Sequence, residues 1–292
     1  MTDYADNKKE CLNCLDLHTH STASDGTDSP TELIQKASKI GLSAIALTDH
    51  DTVSGIPQAY EAVKALKDQS ENIRFIPGCE FSVSYYGKDI HVLGLFLDNQ
   101  NRTLLDLLER AGKSRDNRNR EMVARFQAKG YSLCYEDLIS LSKDTEITRA
   151  HFARVLIEKH FAKDFADAFS RFLGDTCPFY VKREFSPANE VLDAIHSAGG
   201  IAVLAHPLQY RYPSEKLRSM IEFFCSYGLD AMETKYSAYD REEELYLRSL
   251  ALRYGLKRSG GSDYHGSIKP GLSLGTGYGN GWHVEADDVT VL

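Results

Sequence analysis

Short apolar runs alternate with amphipathic stretches from residue 12 to about residue 98. Residues 12–17 read as a strand. Ser29-Pro30-Thr31-Glu32 predicts a helix start, with Ser as N-cap, Pro in the first turn and Glu placed to close a capping box. Gly41 is placed to end that helix. Residues 43–47 predict a second buried strand, and Ser54 opens a helix running to about Gln69. The polar turn Ser70-Glu71-Asn72 holds no Gly to mark a C-cap. Residues 75–84 predict a third strand, with 89–97 as its hairpin partner across Gly87-Lys88.

After Asp98 this rhythm stops, and residues 101–184 predict several helices with few strand signals. Alternation then resumes. A helix starts at Ser186-Pro187 and ends at Gly199-Gly200, followed by a strand over 201–205, a helix over 214–227 and a strand over 229–232. A helix over 240–254 and a strand over 256–260 complete the series. Repeated strand–helix units imply a parallel sheet, and this many imply a closed or nearly closed barrel. The expected fold class is α/β: a barrel domain of residues 12–100 and 185–292, discontinuous in sequence, with a helical insert at 101–184.

Charge sharpens that division. The insert carries 16 Lys plus Arg and 13 Asp plus Glu, a net of +3, whereas the rest carries 18 and 29, a net of −11. The 292-residue chain as a whole is at −8, which predicts no stable binding of duplex nucleic acid, since nonspecific affinity needs a cationic surface. No apolar run approaches the roughly 20 residues that span a bilayer. The first ten residues are polar, and six Cys are too dilute for a disulfide scaffold. A soluble cytoplasmic protein is expected, and its oligomeric state is left open.

The polar residues suited to chemistry fall where the predicted strands end. His18 and His20 follow the first strand, with Asp25 in the next loop; Asp49 and His50 follow the second. Glu80 follows residues 75–79, His91 lies on the hairpin strand, His206 follows 201–205, and Asp263 and His265 follow the last strand. A parallel barrel gathers all C-terminal strand ends at one face. In His18-Thr19-His20 the imidazoles are two residues apart, so an extended backbone points them the same way, and Asp263-Tyr264-His265 repeats the spacing. One His-X-His alone is more often surface or core chemistry. Six of the ten His at strand ends, with acids at matching places, is a metal-site pattern. Imidazole with carboxylate suits Mn, Fe or Zn, and the lack of thiolates argues against a structural zinc site. Clustered cations of this kind activate water and neutralise phosphoryl oxygens together.

These stretches resemble the polymerase and histidinol phosphatase (PHP) family. Asp16-Leu17-His18-Thr19-His20-Ser21, Leu47-Thr48-Asp49-His50-Asp51, Ala205-His206-Pro207 and Gly261-Ser262-Asp263-Tyr264-His265-Gly266 are similar to its four motifs. Pro77-Gly78-Cys79-Glu80 and Ile90-His91-Val92-Leu93-Gly94 match the pattern between the second and third. The resemblance implies a distorted (β/α)7 TIM-like barrel and a site for two to three divalent metal ions. By it, one ion would take His18, His20, Glu80 and Asp263; a second would share Glu80 and add His91 and His206; a third would use Asp25, His50 and His265. Asp49 would orient a ligand, and Glu233 would be an acid of the site wall.

Within that family the chain resembles small stand-alone phosphoesterases that remove 5′-phosphates from nucleotides. The resemblance lies in Thr148-Arg149-Ala150-His151-Phe152-Ala153-Arg154 and Tyr180-Val181-Lys182-Arg183-Glu184. It implies substrate binding by Arg149, His151, Lys182 and Arg183 on an insert that caps the site. Arg149 suits a phosphate because its planar fork binds bidentately. The bland alternatives are exposed ion pairs for the cations and helix packing for His151. The expected partner is a small phosphorylated substrate, a nucleotide or short oligonucleotide. Histidinol phosphatase is the rival enzyme, and a noncatalytic metal-binding regulatory module is the rival class. An amidohydrolase also begins with His-X-His, but Asp25, Asp49-His50 and Glu80 argue against it. Cys11-X-X-Cys14 lacks a second pair and reads as ordinary thiols. Arg110 to Lys129, with seven basic and two acidic residues, reads as a solvated helix face that attracts anions. The glycines of 271–281 have no strand-to-helix context for a phosphate-cradling loop.

Overall fold

The computed structural model describes residues 14–69, 72–142, 145–279 and 281–292. Leu12 and Asn13 of the first predicted strand, Cys11 of the Cys11-X-X-Cys14 pair, and Ser70 and Glu71 of the predicted turn lie outside the described residues. In chain order, β1 (Cys14–Asp16), α1 (Pro30–Ile40), β2 (Ala44–Leu47) and α2 (Ile56–Asp68) lead into the hairpin of β3 (Arg74–Tyr85) and β4 (Lys88–Leu95). The helices α3 (Arg102–Ala128), α4 (Tyr135–Ser142), α5 (Arg149–Glu158) and α6 (Phe165–Ala168) follow. Then come β5 (Ser186–Pro187), α7 (Ala188–Ser197), β6 (Ile201–Leu204), α8 (Ser214–Cys225), β7 (Ala231–Tyr236), α9 (Arg241–Tyr254), β8 (Lys257–Gly261) and β9 (Val284–Glu285).

The start of α1 is dictated locally. Ser29 Oγ accepts from the Glu32 amide at 3.2 Å, the Glu32 carboxylate accepts from the Ser29 amide at 2.8 Å, and Gly41 closes the helix at φ 85°. Its buried stripe, Leu33, Ile34 and Ala37, follows the helical period. Strands such as β2, Ala-Ile-Ala-Leu, are buried on both faces, as parallel strands covered by helices must be. The helix expected from Ser186 begins instead at Ala188. Pro187 is extended (ψ 148°), and its segment pairs with the edge of β3 before the helix turns.

The sheet runs β8-β7-β6-β4-β3-β2-β1, with β4 antiparallel to both neighbours and the other contacts in this path parallel. The chain beyond β1 joins the end of β8 and the chain after it: Leu17 N donates to Gly260 O (3.2 Å), Asp263 N to His18 O (2.8 Å) and His20 N to Tyr264 O (2.8 Å). This closes a seven-stranded ring at its upper rim. Lower down, β9 pairs with β1, and Thr290 N donates to Arg258 O in β8, so the C-terminal segment fills the gap and distorts the barrel. Gly261 sits at the seam, where a Cβ would stand 2.5 Å from the His18 backbone nitrogen.

The apolar interior divides between barrel and insert. Met122, Phe126, Phe152, Phe172 and Phe179 centre a cluster built wholly from residues 122–181. Leu104, Leu107 and Leu108, at the start of α3, pack instead with the barrel's helices. This 27-residue helix, about 40 Å long at 1.5 Å per residue, therefore runs from the barrel wall into the insert. Among the described residues no helix is long and apolar enough to cross a membrane.

Candidate metal centre

The upper rim of the barrel gathers the residues that the sequence scatters. His18 and His20 leave β1 on an extended backbone, and Thr19 between them turns away to bond β2, its Oγ donating to Ala46 O. The imidazoles therefore share the inner face. Glu80 enters from β3, His91 from the antiparallel β4, His50 from the end of β2, and His206 from the end of β6. His206 and Asp263 hold left-handed backbones, at φ 30° and 58°, costly conformations typical of functional sites. Asp263 and His265 thus reach the cluster through a turn rather than by the strand alternation expected for them.

Three donor atoms, from His18, His20 and Glu80, form one group able to hold a cation, and Asp263 Oδ1 approaches its two imidazoles. His18 Nε2 lies 3.2 Å from His20 Nε2, 3.3 Å from Glu80 Oε2 and 3.5 Å from Asp263 Oδ1. His20 Nε2 lies 3.1 Å from Glu80 Oε2 and 3.4 Å from Asp263 Oδ1. Ligands held at about 2.0–2.1 Å in a tetrahedron stand about 3.3–3.4 Å apart, so these edges fit one cation. Glu80 is shared: its Oε1 lies 2.8 Å from His91 Nδ1 and 2.9 Å from His206 Nε2. Asp25 Oδ1 lies 3.5 Å from His265 Nε2, and its Oδ2 lies 3.9 Å from His50 Nε2. His50 also turns Nδ1 to Glu80 Oε2 at 3.1 Å, and His20 stands with Asp25, His50 and His265, so these two imidazoles face more than one ligand set. Glu80 Oε2 and His91 Nδ1 are buried without a well-angled hydrogen bond despite these short contacts, as befits atoms aimed at a cation.

The electrostatics agree. Burial works to raise the Glu80 carboxyl, but His91, His50 and His18 outweigh it and hold it well below the usual carboxylate range. Burial disfavours a charged His18, yet Glu233, Glu80 and Asp263 hold it well above the ordinary imidazole value. His20 rises to about 9 against burial through Asp263 and Glu80, whereas burial pushes His50 down to about 4. Neighbouring imidazoles compete unequally for the same negative oxygens, which divalent cations balance together.

Surrounding groups fix these side chains. Glu233 is fully buried; its Oε1 meets His18 Nδ1 at 3.1 Å and its Oε2 accepts the His206 amide at 2.7 Å. Asp49 accepts from Ser21 N (2.8 Å), Ser21 Oγ (2.7 Å) and Ser24 Oγ (2.6 Å), and so holds the loop that carries Asp25. Tyr236 Oη donates to Asp263 Oδ2 at 2.7 Å, and Lys269 Nζ meets the same oxygen at 2.5 Å. Thr148, the N-cap of α5, donates its Oγ to Asp25 Oδ2 at 2.9 Å, so the insert positions a residue of the barrel site.

A cleft of about 160 Å³ opens beside the cluster between barrel and insert. Asp25, His50 and His91 line it together with Arg115, Arg118, Arg149 and Arg183. Arg149 is partly exposed, with Nη1 3.1 Å from Asp175 Oδ1. Arg183 is buried and donates to Asp51 Oδ2 at 2.8 Å, and Arg115 pairs with the same oxygen. His151 is not among the residues lining the cleft: its Nδ1 accepts the Thr148 amide at 3.1 Å to close the cap, and burial pushes its pKa down to about 4. Lys182 is exposed beside Gly87, outside the cleft lining.

Asp51, Arg115, Arg118 and Thr148 were given no role by the sequence. A signal existed for the arginines. Arg115, Arg118, Met122 and Phe126 recur at helical spacing and form the buried stripe of α3. The rest of that basic run does lie on the surface, with Arg110, Lys113, Arg120 and Arg125 paired to Glu190, Glu109, Asp116 and Glu121.

The PHP domain pattern matches residues 16–182. A 5′-3′ exoribonuclease of Haemophilus influenzae is 36% identical over 262 residues, covering 89% of this chain and 93% of that protein. A 3′,5′-nucleoside bisphosphate phosphatase of Chromobacterium violaceum is 32% identical, covering 89% and 90%. Among solved structures, a C. violaceum amidohydrolase with bound sulfate superposes with a TM-score of 0.82 at 32% identity, covering 89% of each chain. A protein of Bifidobacterium adolescentis, assigned as a metal-dependent phosphoesterase, gives 0.79 at 26% identity, covering 94% and 92%. Matched over more than half its length, and with the donor set such chemistry needs, the chain belongs to the PHP domain family of metal-dependent phosphoesterases.

Proposed function

We propose that this phosphoesterase removes the 5′-phosphate of nucleotides: nucleoside 3′,5′-bisphosphates, AMP or the 5′-terminal nucleotides of short oligonucleotides. One observation carries the reading, a single cleft lined both by metal-type donors and by four arginines. The relatives named for bisphosphate phosphatase and exoribonuclease activity support it, as does the sulfate, a tetrahedral dianion, in the C. violaceum structure. The proposed holders of two to three Mn, Fe or Zn ions are His18, His20, Glu80 and Asp263, then Glu80, His91 and His206, then Asp25, His50 and His265. Such ions activate water and neutralise charge on phosphoryl oxygens. Glu233 and Asp49 keep the ligands in place. The insert caps the cleft, and Arg149, beside the Tyr180 and Phe169 rings at 5.8 and 6.0 Å, holds the part of the substrate that does not react. A cytoplasmic setting fits such substrates and the thiols of Cys79, Cys134, Cys177 and Cys225, which form no disulfide.

Phosphate release from adenosine 3′,5′-bisphosphate, AMP, 5′-phosphorylated oligonucleotides and histidinol phosphate, each with Mn, Zn and Mg, tests the reading. Faster turnover of histidinol phosphate than of any nucleotide would overturn it, and no release from any of them would select the noncatalytic module. Arg149→Ala lowers kcat/KM for the bisphosphate about ten- to a hundredfold, the effect of losing a charge-assisted bidentate contact. It lowers p-nitrophenyl phosphate hydrolysis much less. Equal losses on both would move Arg149 to the reacting phosphate.

A further inference from the structure

Arg118 stands apart from the other arginines of the cleft. Arg115 and Arg183 share the Asp51 carboxylate, and Arg149 has Asp175. Arg118 is 7% exposed, and among the described residues no carboxylate lies within ion-pair distance of it. Its Nε donates to Asn119 Oδ1 at 2.8 Å, which leaves the two terminal nitrogens of the fork for the cleft that it lines. Its charged neighbours are mostly of its own sign: Arg115, Arg149 and Arg183 all act on it, against the single opposing Asp89, whose Oδ1 lies 3.6 Å from His91 Nε2. A buried guanidinium facing like charges is costly, and the cost is recovered when an anion occupies the cleft.

The site is also braced. Asn119 Nδ2 donates to Ile147 O at 2.9 Å, and the next residue, Thr148, donates to Asp25 Oδ2 at 2.9 Å. A short strut therefore ties Arg118 to the metal-type cluster at a set separation. We propose that Arg118 is the floor of a second anion subsite, which takes the non-reacting phosphate of a doubly phosphorylated nucleotide while the reacting phosphate lies at the His and carboxylate cluster. This rests on the proposed nucleotide function, and it makes Arg118, beside Arg149, a residue that selects substrates with two phosphates over those with one.

Arg118→Met, nearly isosteric and neutral, and Arg118→Lys, charged but without the fork, test this in the purified protein. Calorimetric binding of adenosine 3′-phosphate, which lacks the reacting phosphate, should weaken at least about tenfold in R118M, while adenosine binding is unchanged. R118K should fall between R118M and wild type. R118M should lower kcat/KM for adenosine 3′,5′-bisphosphate by about ten- to a hundredfold and alter p-nitrophenyl phosphate hydrolysis less than about threefold. Its melting temperature should hold or rise, because an uncompensated buried charge has gone. A lower melting temperature with unchanged adenosine 3′-phosphate binding would make Arg118 a structural residue and overturn the proposal. Equal losses on both substrates would overturn it too, placing Arg118 at the reacting phosphate. If wild type released no phosphate from nucleotides yet bound adenosine 3′-phosphate through Arg118, the nucleotide-phosphatase reading would fall and the subsite would stand.

Discussion

Asp51 is the joint between barrel and insert, and Asp51→Asn tests how much of the architecture hangs on it. Its Oδ2 accepts from Arg115 on α3 and from Arg183 near the end of the insert, and its Oδ1 accepts the Ser82 amide of β3 at 2.9 Å. Both guanidiniums are buried, at 6% and 5% exposure. An amide keeps the shape but strands Arg183 and leaves Arg115 only Glu146 Oε2 at 3.5 Å, and breaking a buried pair in this way costs about 3–5 kcal/mol. At about 2 °C per kcal/mol, the value for chains somewhat shorter than this one, the melting temperature should fall by about 6–10 °C. Burial alone would raise the Asp51 carboxyl, but Arg183 and Arg115 outweigh it and hold it well below the ordinary range. A depressed folded value gives stability that is complete above the unfolded carboxylate value, near pH 4, and is lost as pH falls through the folded value. The gap between D51N and wild type is therefore full at pH 7 and closes in strong acid. Calorimetric melting across that range measures it. Replacing Arg115 and Arg183 by Met in the same variant should restore most of the loss, since an apolar set of similar size replaces buried ions at little cost. A fall of less than about 2 °C at pH 7 would refute the argument, because the two guanidiniums would then be finding water or another partner.

Chelation should abolish phosphate release, and Mn should restore more of it than Mg, because imidazole-rich sites disfavour a hard cation; full activity in verified metal-free protein would contradict this. Elemental analysis should find more than one equivalent of transition metal. His20→Ala and Asp263→Ala should each lose about two orders of magnitude or more in turnover, whereas exposed His160 and His196 should tolerate Ala, and similar losses at all four would show the ligands misassigned. Thr148→Val should lower kcat by freeing Asp25 and lower the melting temperature by a few degrees with the lost α5 cap, and Thr148→Ser should rescue both.

Much of the barrel was legible because its signals are local. The α1 boundaries rest on a capping box and a left-handed Gly, both readable within a few residues. His18 and His20 share a face because an extended backbone has a period of two. Their meeting with Asp263 was not local. It depends on residues 17–20 pairing with 260–264, about 240 positions away, and on β4 entering the ring antiparallel so that His91 points inward. The sequence alone determined which residue types stand at the strand ends, and that two kinds of chain, one alternating and one helical, had to pack against each other. Only the tertiary structure decided which of seven basic residues in one run turn inward. On a helix that choice depends on what the opposite surface offers, and here it offers Asp51 and a polar cleft to Arg115 and Arg118, and water to the rest.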